Sequence, residues 1–257
     1  MRENPVKAKL AQGGTSLGTM VFEFNTTGIG RIIAAAGAEF VIYDTEHTGW
    51  GIETVRMLMA TSRSADIVPL VRVPATQYHL LANPLDVGAM GLMVPMVESE
   101  EQARLIANSV KYPPEGRRGA AFGVAHDDYG LEPGTAIEKM ERANREVLII
   151  AQIETAPGVE NVEAIAAVPG IDILWIGHND LTNSMGIPGQ FTHPDYLAAV
   201  ERVLAAAKAN NKPAGILSGS IDDARAALAQ GFRIVAYAGD LWLYGQALSD
   251  GLKAIQA

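Results

Sequence analysis

Two carboxylates stand at the ends of two short apolar runs. The first run, Leu148-Ile-Ile-Ala-Gln152-Ile-Glu154, closes on Glu154, and the second, Ile171-Asp-Ile-Leu-Trp-Ile-Gly177-His178-Asn179-Asp180, leads to Asp180. Hard carboxylate oxygens suit magnesium or manganese, so the pair is a candidate divalent-metal site. Other reactive side chains have the same kind of placement. Asp44, Glu46 and His47 follow an apolar run, Arg72 closes another, and Gln152 sits two residues before Glu154. A histidine titrates where protons are exchanged near neutral pH, and a guanidinium steadies a developing oxyanion. Each residue also has a plain structural use: Glu154 as a helix cap, Asp180 and His47 in turns, Arg72 in a surface ion pair. Spacing alone leaves both uses open.

The elements that must position these residues follow from the hydrophobic pattern. Apolar runs too short for typical helices, separated by helix-like stretches, read as parallel strands buried on both faces. Such runs occupy 15–24, 38–44, 66–73, 91–96, 147–154, 171–177, 213–217 and 233–238. Between them, helical stretches are expected through 31–36, 52–64, 77–87, 99–110 and 133–145, then from near Pro157, and over 194–209, 222–230 and 240–255. Ser99 is placed to cap its helix. Asn83-Pro84 should kink or divide the helix that contains it. Residues 111–130 form a long irregular passage, and loops of that length are usually functional or interfacial.

Eight strands alternating with helices indicate an α/β fold, a (β/α)8 TIM barrel, with 1–257 as a single domain. A doubly wound open sheet competes, but no glycine-rich dinucleotide fingerprint follows any strand. In a barrel the strand exits share one mouth. Asp44, Glu46, His47, Arg72, Gln152, Glu154 and Asp180 then converge, which a barrel does not need for stability, because clustered charges are costly unless paired or metal-bound.

Composition narrows the partners. The chain has 257 residues, 48% hydrophobic and 19% charged, with a formal net charge of -9. Acidic and basic residues are interspersed, which argues against nucleic acid and against anionic membranes as partners. With no cysteine, disulfides, thiolate metal sites and cysteine nucleophiles are excluded. No signal-peptide core and no bilayer-length apolar stretch is present, so a soluble cytoplasmic protein is expected.

Several stretches keep both identity and mutual spacing with a known family. Tyr43-Asp44-Thr-Glu46-His47, Leu70-Val-Arg72-Val, Leu85-Asp86-Val-Gly-Ala-Met-Gly91, Val94-Pro-Met-Val97, Tyr112-Pro-Pro-Glu-Gly-Arg-Arg-Gly119, Gln152-Ile-Glu154-Thr and Gly177-His178-Asn179-Asp180-Leu resemble the HpcH/HpaI aldolases. These are class II, metal-dependent pyruvate aldolases. The resemblance runs in order from about residue 15 to 252. It implies a lyase that reversibly cleaves a 4-hydroxy-2-oxo acid into pyruvate, or a close 2-oxo acid such as hydroxypyruvate, and an aldehyde, by way of a metal-stabilised enolate.

Carried over by position, the resemblance implies that Glu154 and Asp180 bind Mg2+, Mn2+ or Co2+. Arg72 would hydrogen-bond the keto oxygen, His47 would act as general base, and Asp86 would support that histidine. Asp44 and Gln152 hold polar positions beside the substrate, and the backbone of Gly177, His178 and Asn179 would meet the substrate carboxylate. The resemblance also implies a homo-oligomer, a hexamer arranged as a trimer of dimers, with the apolar last helix packed on a neighbour. In two places the chain departs from the family: His178 stands where proline is common, and Asn83-Pro84 precedes Leu85-Asp86.

Three rival readings remain at this level. A Schiff-base aldolase needs a lysine at a strand exit, and none of the lysines falls there. An acyl-CoA lyase of the malyl- or citramalyl-CoA type needs a basic cluster for the nucleotide tail, and none is evident. A non-catalytic assembly barrel would have no reason to keep these carboxylates, histidine and arginine together.

Overall fold

The computed structural model describes residues 1–131 and 133–256. Strands β1 (Ser16–Val21), β2 (Phe40–Asp44), β3 (Val68–Arg72), β4 (Gly91–Val94), β5 (Leu148–Ile153), β6 (Ile173–Ile176), β7 (Ala214–Ser218) and β8 (Ile234–Gly239) pair in parallel in sequence order, and β8 closes onto β1. The helices are α1 (Pro5–Ala11), α2 (Ile29–Ala35), α3 (Ile52–Ser62), α4 (Tyr78–Asp86), α5 (Glu100–Val110), α6 (Ala136–Glu146), α7 (Ala156–Glu160), α8 (Val162–Ala167), α9 (His178–Ser184), α10 (Pro194–Ala209), α11 (Ile221–Gln230) and α12 (Asp240–Gln256). The (β/α)8 barrel expected from the alternation is therefore the fold observed.

Strand alternation divides the core in two. Side chains of one parity, Met20, Phe40, Ile42, Val68, Leu70, Met93, Leu148, Ile150, Ile173, Trp175 and Ile234, fill the barrel interior. The other parity, including Val41, Tyr43, Val71, Ile149 and Leu174, packs outward under the helices. Interiors of eight-stranded barrels are filled by such layers. Gly215 belongs to the interior parity, and a Cβ there would overlap the Trp175 ring, so the glycine makes room for the indole.

The sequence pattern missed two helices. Helix α1 begins at Pro5, with the Asn4 side chain accepting the Lys7 N–H as an N-cap, and its Val6 and Leu10 enter the interior cluster from the N-terminal end of the strands. It closes the barrel floor. Helix α9 directly follows β6 and is short and polar, with only Leu181 and Thr182 buried, so it carries no apolar periodicity to read. The expectation that Asn83-Pro84 divides its helix is corrected as well. Helix α4 runs undivided through Pro84, which lies in its last turn and cannot donate to the Leu80 carbonyl. Ser99 does cap α5, accepting the Gln102 N–H at 3.1 Å.

Helix α12 does not lie on the barrel as a covering layer. Within it only Asp240 is buried, while Trp242, Leu248 and Leu252 are 50%, 47% and 52% exposed. An apolar groove lined by Leu17, Ile29, Ile32, Ile221, Leu228 and Tyr237 runs between α2 and α11 over β1 and β8. No described helix is long and apolar enough to cross a membrane.

Candidate active site

The polar residues singled out in the sequence continue the inward parity by one layer at the strand exits. On β2 the inward series runs Phe40, Ile42, Asp44; on β3 it runs Val68, Leu70, Arg72; on β5 it runs Leu148, Ile150, Gln152 and, just past the strand, Glu154. Asp44 and Arg72 are register partners across β2 and β3. The top layer of the interior is thus polar where every layer below is apolar. Burying it is tolerable only if the groups satisfy one another or a ligand.

Asp44 is the knot of the β2–β3 side. It is fully buried. Its Oδ1 accepts from Arg72 Nε at 2.6 Å and from the Glu46 backbone N–H at 3.1 Å, and its Oδ2 accepts the His47 backbone N–H at 3.0 Å. The Thr48 hydroxyl donates to the Asp44 carbonyl at 2.7 Å, which tightens the same turn. Arg72 Nη1 also lies 3.2 Å from Glu46 Oε2, an ion pair without hydrogen-bond geometry, so this buried oxygen has no hydrogen-bond partner. Burial, together with Asp44 and Asp180 and against the pull of Arg72, pushes the Glu46 carboxyl up to about 7. The His47 imidazole stands over this group, exposed at the mouth, with Nε2 3.6 Å from Glu46 Oε2.

Glu154 anchors the β5–β6 side. One oxygen accepts the Met96 N–H at 2.7 Å, and the other accepts from Gln152 Nε2. Burial raises its carboxyl to about 7, with Glu46 and Asp180 adding to the rise and the two hydrogen bonds opposing it. Gln152 Oε1 is buried without a partner. A Cβ on Gly177 would overlap Glu154 Oε2 and approach Gln152 Nε2, so the glycine is required by the carboxylate beside it. Asp180 lies in the first turn of α9, where a negative charge is favoured by the helix dipole.

Arg72, His47, Gln152, Glu154, Gly177, His178, Asn179 and Asp180 line one cavity of about 400 Å³ at the strand exits. Asp44 lies beneath its rim as the support of Arg72. No lysine is among the described residues lining the cavity. The donor set suits a divalent cation. Glu154 and Asp180 supply hard oxygens, and burial makes an unneutralised charge on Glu154 costly. Two buried oxygens, Glu46 Oε2 and Gln152 Oε1, have no hydrogen-bond partner. Among the described residues no group of three or more His, Asp or Glu side chains is arranged to hold an ion. A cation held by the two carboxylates alone would thus take further oxygens from substrate or water.

One sequence-predicted residue lies away from the cavity within the chain. Asp86, expected beside His47, sits at the end of α4, paired with Arg118 at 2.5 Å, and does not line the cavity. The reason is topological: α4 runs back from the strand exits, so its last residue is carried away from the mouth. His126, in the long loop, is buried against Tyr112 and Phe122, with its Nε2 at the Ala121 carbonyl, and lies outside the cavity. Sequence reasoning also passed over Phe22, Glu23, Leu241 and Trp242, which line the cavity from β1 and α12. The inward parity of Met20 and Phe22 was the available signal. His178, half-buried, meets the Phe191 ring edge-on at 5.1 Å.

Comparison with known proteins agrees with this geometry. Residues 22–247 match the family model described as HpcH/HpaI aldolase/citrate lyase. The 5-keto-4-deoxy-D-glucarate aldolase of Salmonella arizonae is 36% identical over 227 residues, covering 87% of each chain. The protein of that name from Escherichia coli strain K12 is 34% identical over 254 residues, covering 97% of each. The crystal structure of an HpcH/HpaI aldolase from Desulfitobacterium hafniense superposes with a TM-score of 0.92 at 32% identity, covering 97% of this chain and 96% of that one.

Proposed function

The chain belongs to the HpcH/HpaI aldolase/citrate lyase family, and from that premise we propose how its cavity works as a metal-dependent pyruvate aldolase. The reaction is the reversible cleavage of a 4-hydroxy-2-oxo acid into pyruvate and an aldehyde. The relatives' name specifies a dicarboxylic sugar acid; only the shared half, a 2-oxo acid that yields pyruvate, is carried over to this chain. The observation that carries the reading is the pairing of Glu154 and Asp180 at one cavity with Arg72 and His47.

In this reading Glu154 and Asp180 would hold a divalent cation, Mg2+, Mn2+ or Co2+, which would supply Lewis acidity to the bound 2-oxo acid. Arg72, kept in place by Asp44, donates to the keto oxygen as negative charge develops there. The backbone of Gly177, His178 and Asn179 faces the substrate carboxylate at the start of α9. Gln152 holds Glu154 and keeps a free oxygen towards the substrate. His47, exposed at the mouth, takes the proton of the C4 hydroxyl as the C3–C4 bond breaks and returns it to the methylene carbon left on the pyruvate half. Asp86 reaches His47 only from another copy of the chain, since its own position points it at Arg118.

A homo-oligomer belongs to the same proposal. Helix α12 carries its apolar residues away from the barrel, and the groove between α2 and α11 offers an apolar bed of matching character. We place α12 of one copy against the barrel of the next, in dimers that associate as a hexamer. A cytoplasmic location accompanies this reading. The test is a retro-aldol screen of 4-hydroxy-2-oxo acids with protein stripped of metal and then re-supplied. Pyruvate release that appears only with divalent cation supports the reading, and release that persists after stripping contradicts it.

A further inference from the structure

The cavity has two chemically distinct walls. Arg72, Gln152, Glu154 and Asp180 form the polar wall on the β3, β5 and β6 side. Opposite it, on the β1, β7 and α12 side, the lining is Met20, Phe22, Leu217, Leu241 and Trp242. Phe22 and Trp242 pack with ring centroids 5.1 Å apart. This wall is fixed in place. The Asp240 carboxylate accepts the consecutive backbone N–H groups of Phe22, Glu23 and Phe24 at 2.9, 3.0 and 2.7 Å, so the loop after β1 is bound to the start of α12.

The charges are as uneven as the walls. Glu23 lies exposed at the rim beside the aromatic pair. Arg72 is the one Lys or Arg side chain among the described lining residues, beside the imidazoles of His47 and His178, and Asp44 and Glu46 already engage it. A second carboxylate on the substrate, reaching towards Phe22 and Trp242, would meet the Glu23 carboxylate and apolar surface, and the described lining offers it no Lys or Arg beyond the already paired Arg72. In a cleft shielded from water both effects are larger than in bulk solvent.

Resting on the aldolase reading above, we infer that the aldehyde this enzyme takes is uncharged, with an apolar chain that lies against Phe22 and Trp242. Butanal and succinic semialdehyde test this cleanly. They share a four-carbon chain and differ in the terminal group, methyl against carboxylate. In the aldol direction, with pyruvate and the metal-loaded full-length protein, kcat/KM for butanal should exceed that for succinic semialdehyde by at least about tenfold, roughly the discrimination that a mismatched pocket group provides. Glu23→Arg should move that ratio at least about tenfold towards succinic semialdehyde, because it replaces a rim anion by a cation.

Equal or reversed preference in the wild-type protein, or a ratio unmoved in Glu23→Arg, overturns the inference. Exchange of the pyruvate methyl protons for deuterium, followed by NMR without any aldehyde, reads the aldolase step separately. If exchange is absent, the aldolase reading falls and this inference falls with it. If exchange proceeds while succinic semialdehyde is preferred, only the present inference fails.

Discussion

Asp44 Oδ1 accepts the Arg72 Nε–H at 2.6 Å, and the same carboxylate accepts the backbone N–H groups of Glu46 and His47. One buried acid therefore orients both the guanidinium on β3 and the turn that carries the imidazole. Asp44→Ala removes three acceptor contacts and leaves Arg72 with Glu46 alone. The expected cost is about 3 kcal/mol of stability, in the range for breaking a buried ion pair. Urea denaturation measures it, and a change within about 0.5 kcal/mol, as at ordinary surface sites, would contradict the role given to Asp44.

His47 and Arg72 should separate chemistry from folding. His47 is exposed and its ring makes no hydrogen bond that holds the fold. His47→Ala is thus expected to keep stability within about 0.5 kcal/mol while kcat falls by roughly 10²–10⁴. Arg72→Ala should lose roughly 10²–10³ in kcat and also destabilise, because it strands Asp44. Parallel measurements of kcat and thermal unfolding distinguish the two. Near-normal turnover in either variant would refute its assignment.

The raised carboxyls give stability a definite pH dependence. Glu46 and Glu154 are pushed from an ordinary value of 4.5 to about 7, chiefly by burial. Between those values the folded chain holds protons that the unfolded chain has released. The contribution of these two groups to metal-free stability therefore declines as pH rises through that window. A cation bound by Glu154 must displace a proton at the lower pH. The gain in Tm on adding Mn2+ is expected to be larger at pH 8 than at pH 5.5, and scanning calorimetry at the two pH values with equal gains would count against the metal assignment.

Gly177 has no room for a methyl group. A Cβ there collides with the Glu154 carboxylate and the Gln152 amide. Gly177→Ala should cost about 1–3 kcal/mol, the usual price of overpacking. It should also weaken Mn2+ binding, measured by titration calorimetry, by displacing Glu154. Unchanged affinity would show that Glu154 does not bear on the ion.

The last helix tests assembly. Leu248 and Leu252 are four residues apart and share a face of α12, and both are about half exposed in the single chain. Replacing both by glutamate should yield a smaller species by sedimentation velocity, since charges at an apolar interface are left unpaired. An unchanged sedimentation coefficient would place the interface elsewhere.

The legible part of this protein was the part set by period. Runs such as Leu148–Ile153 and Ile173–Ile176 announce buried strands, and eight of them in alternation with helices leave little choice of fold. The inward series Phe40, Ile42, Asp44 and Leu148, Ile150, Gln152 also points to the site, because a polar residue on the buried parity needs a reason. Helix α9 was not legible: it is short, polar and held by its place after β6, with no apolar stripe of its own. The position of Asp86 was not legible either. A motif supplies adjacency along the chain, whereas the direction in which α4 runs decides which end of the barrel the aspartate reaches. Phe22 and Trp242 lie more than two hundred residues apart in sequence, and only closure of β8 onto β1 brings them face to face.

Val6 and Leu10 join the interior cluster at the foot of the barrel, so apolar packing lies beneath the cavity at the strand exits. If the 2-oxo acid binds beside Glu154 and the aldehyde fragment lies nearer Trp242 and the rim, as proposed, cleavage would release the aldehyde before pyruvate. In synthesis the order would invert, with the 2-oxo acid bound before the second reactant.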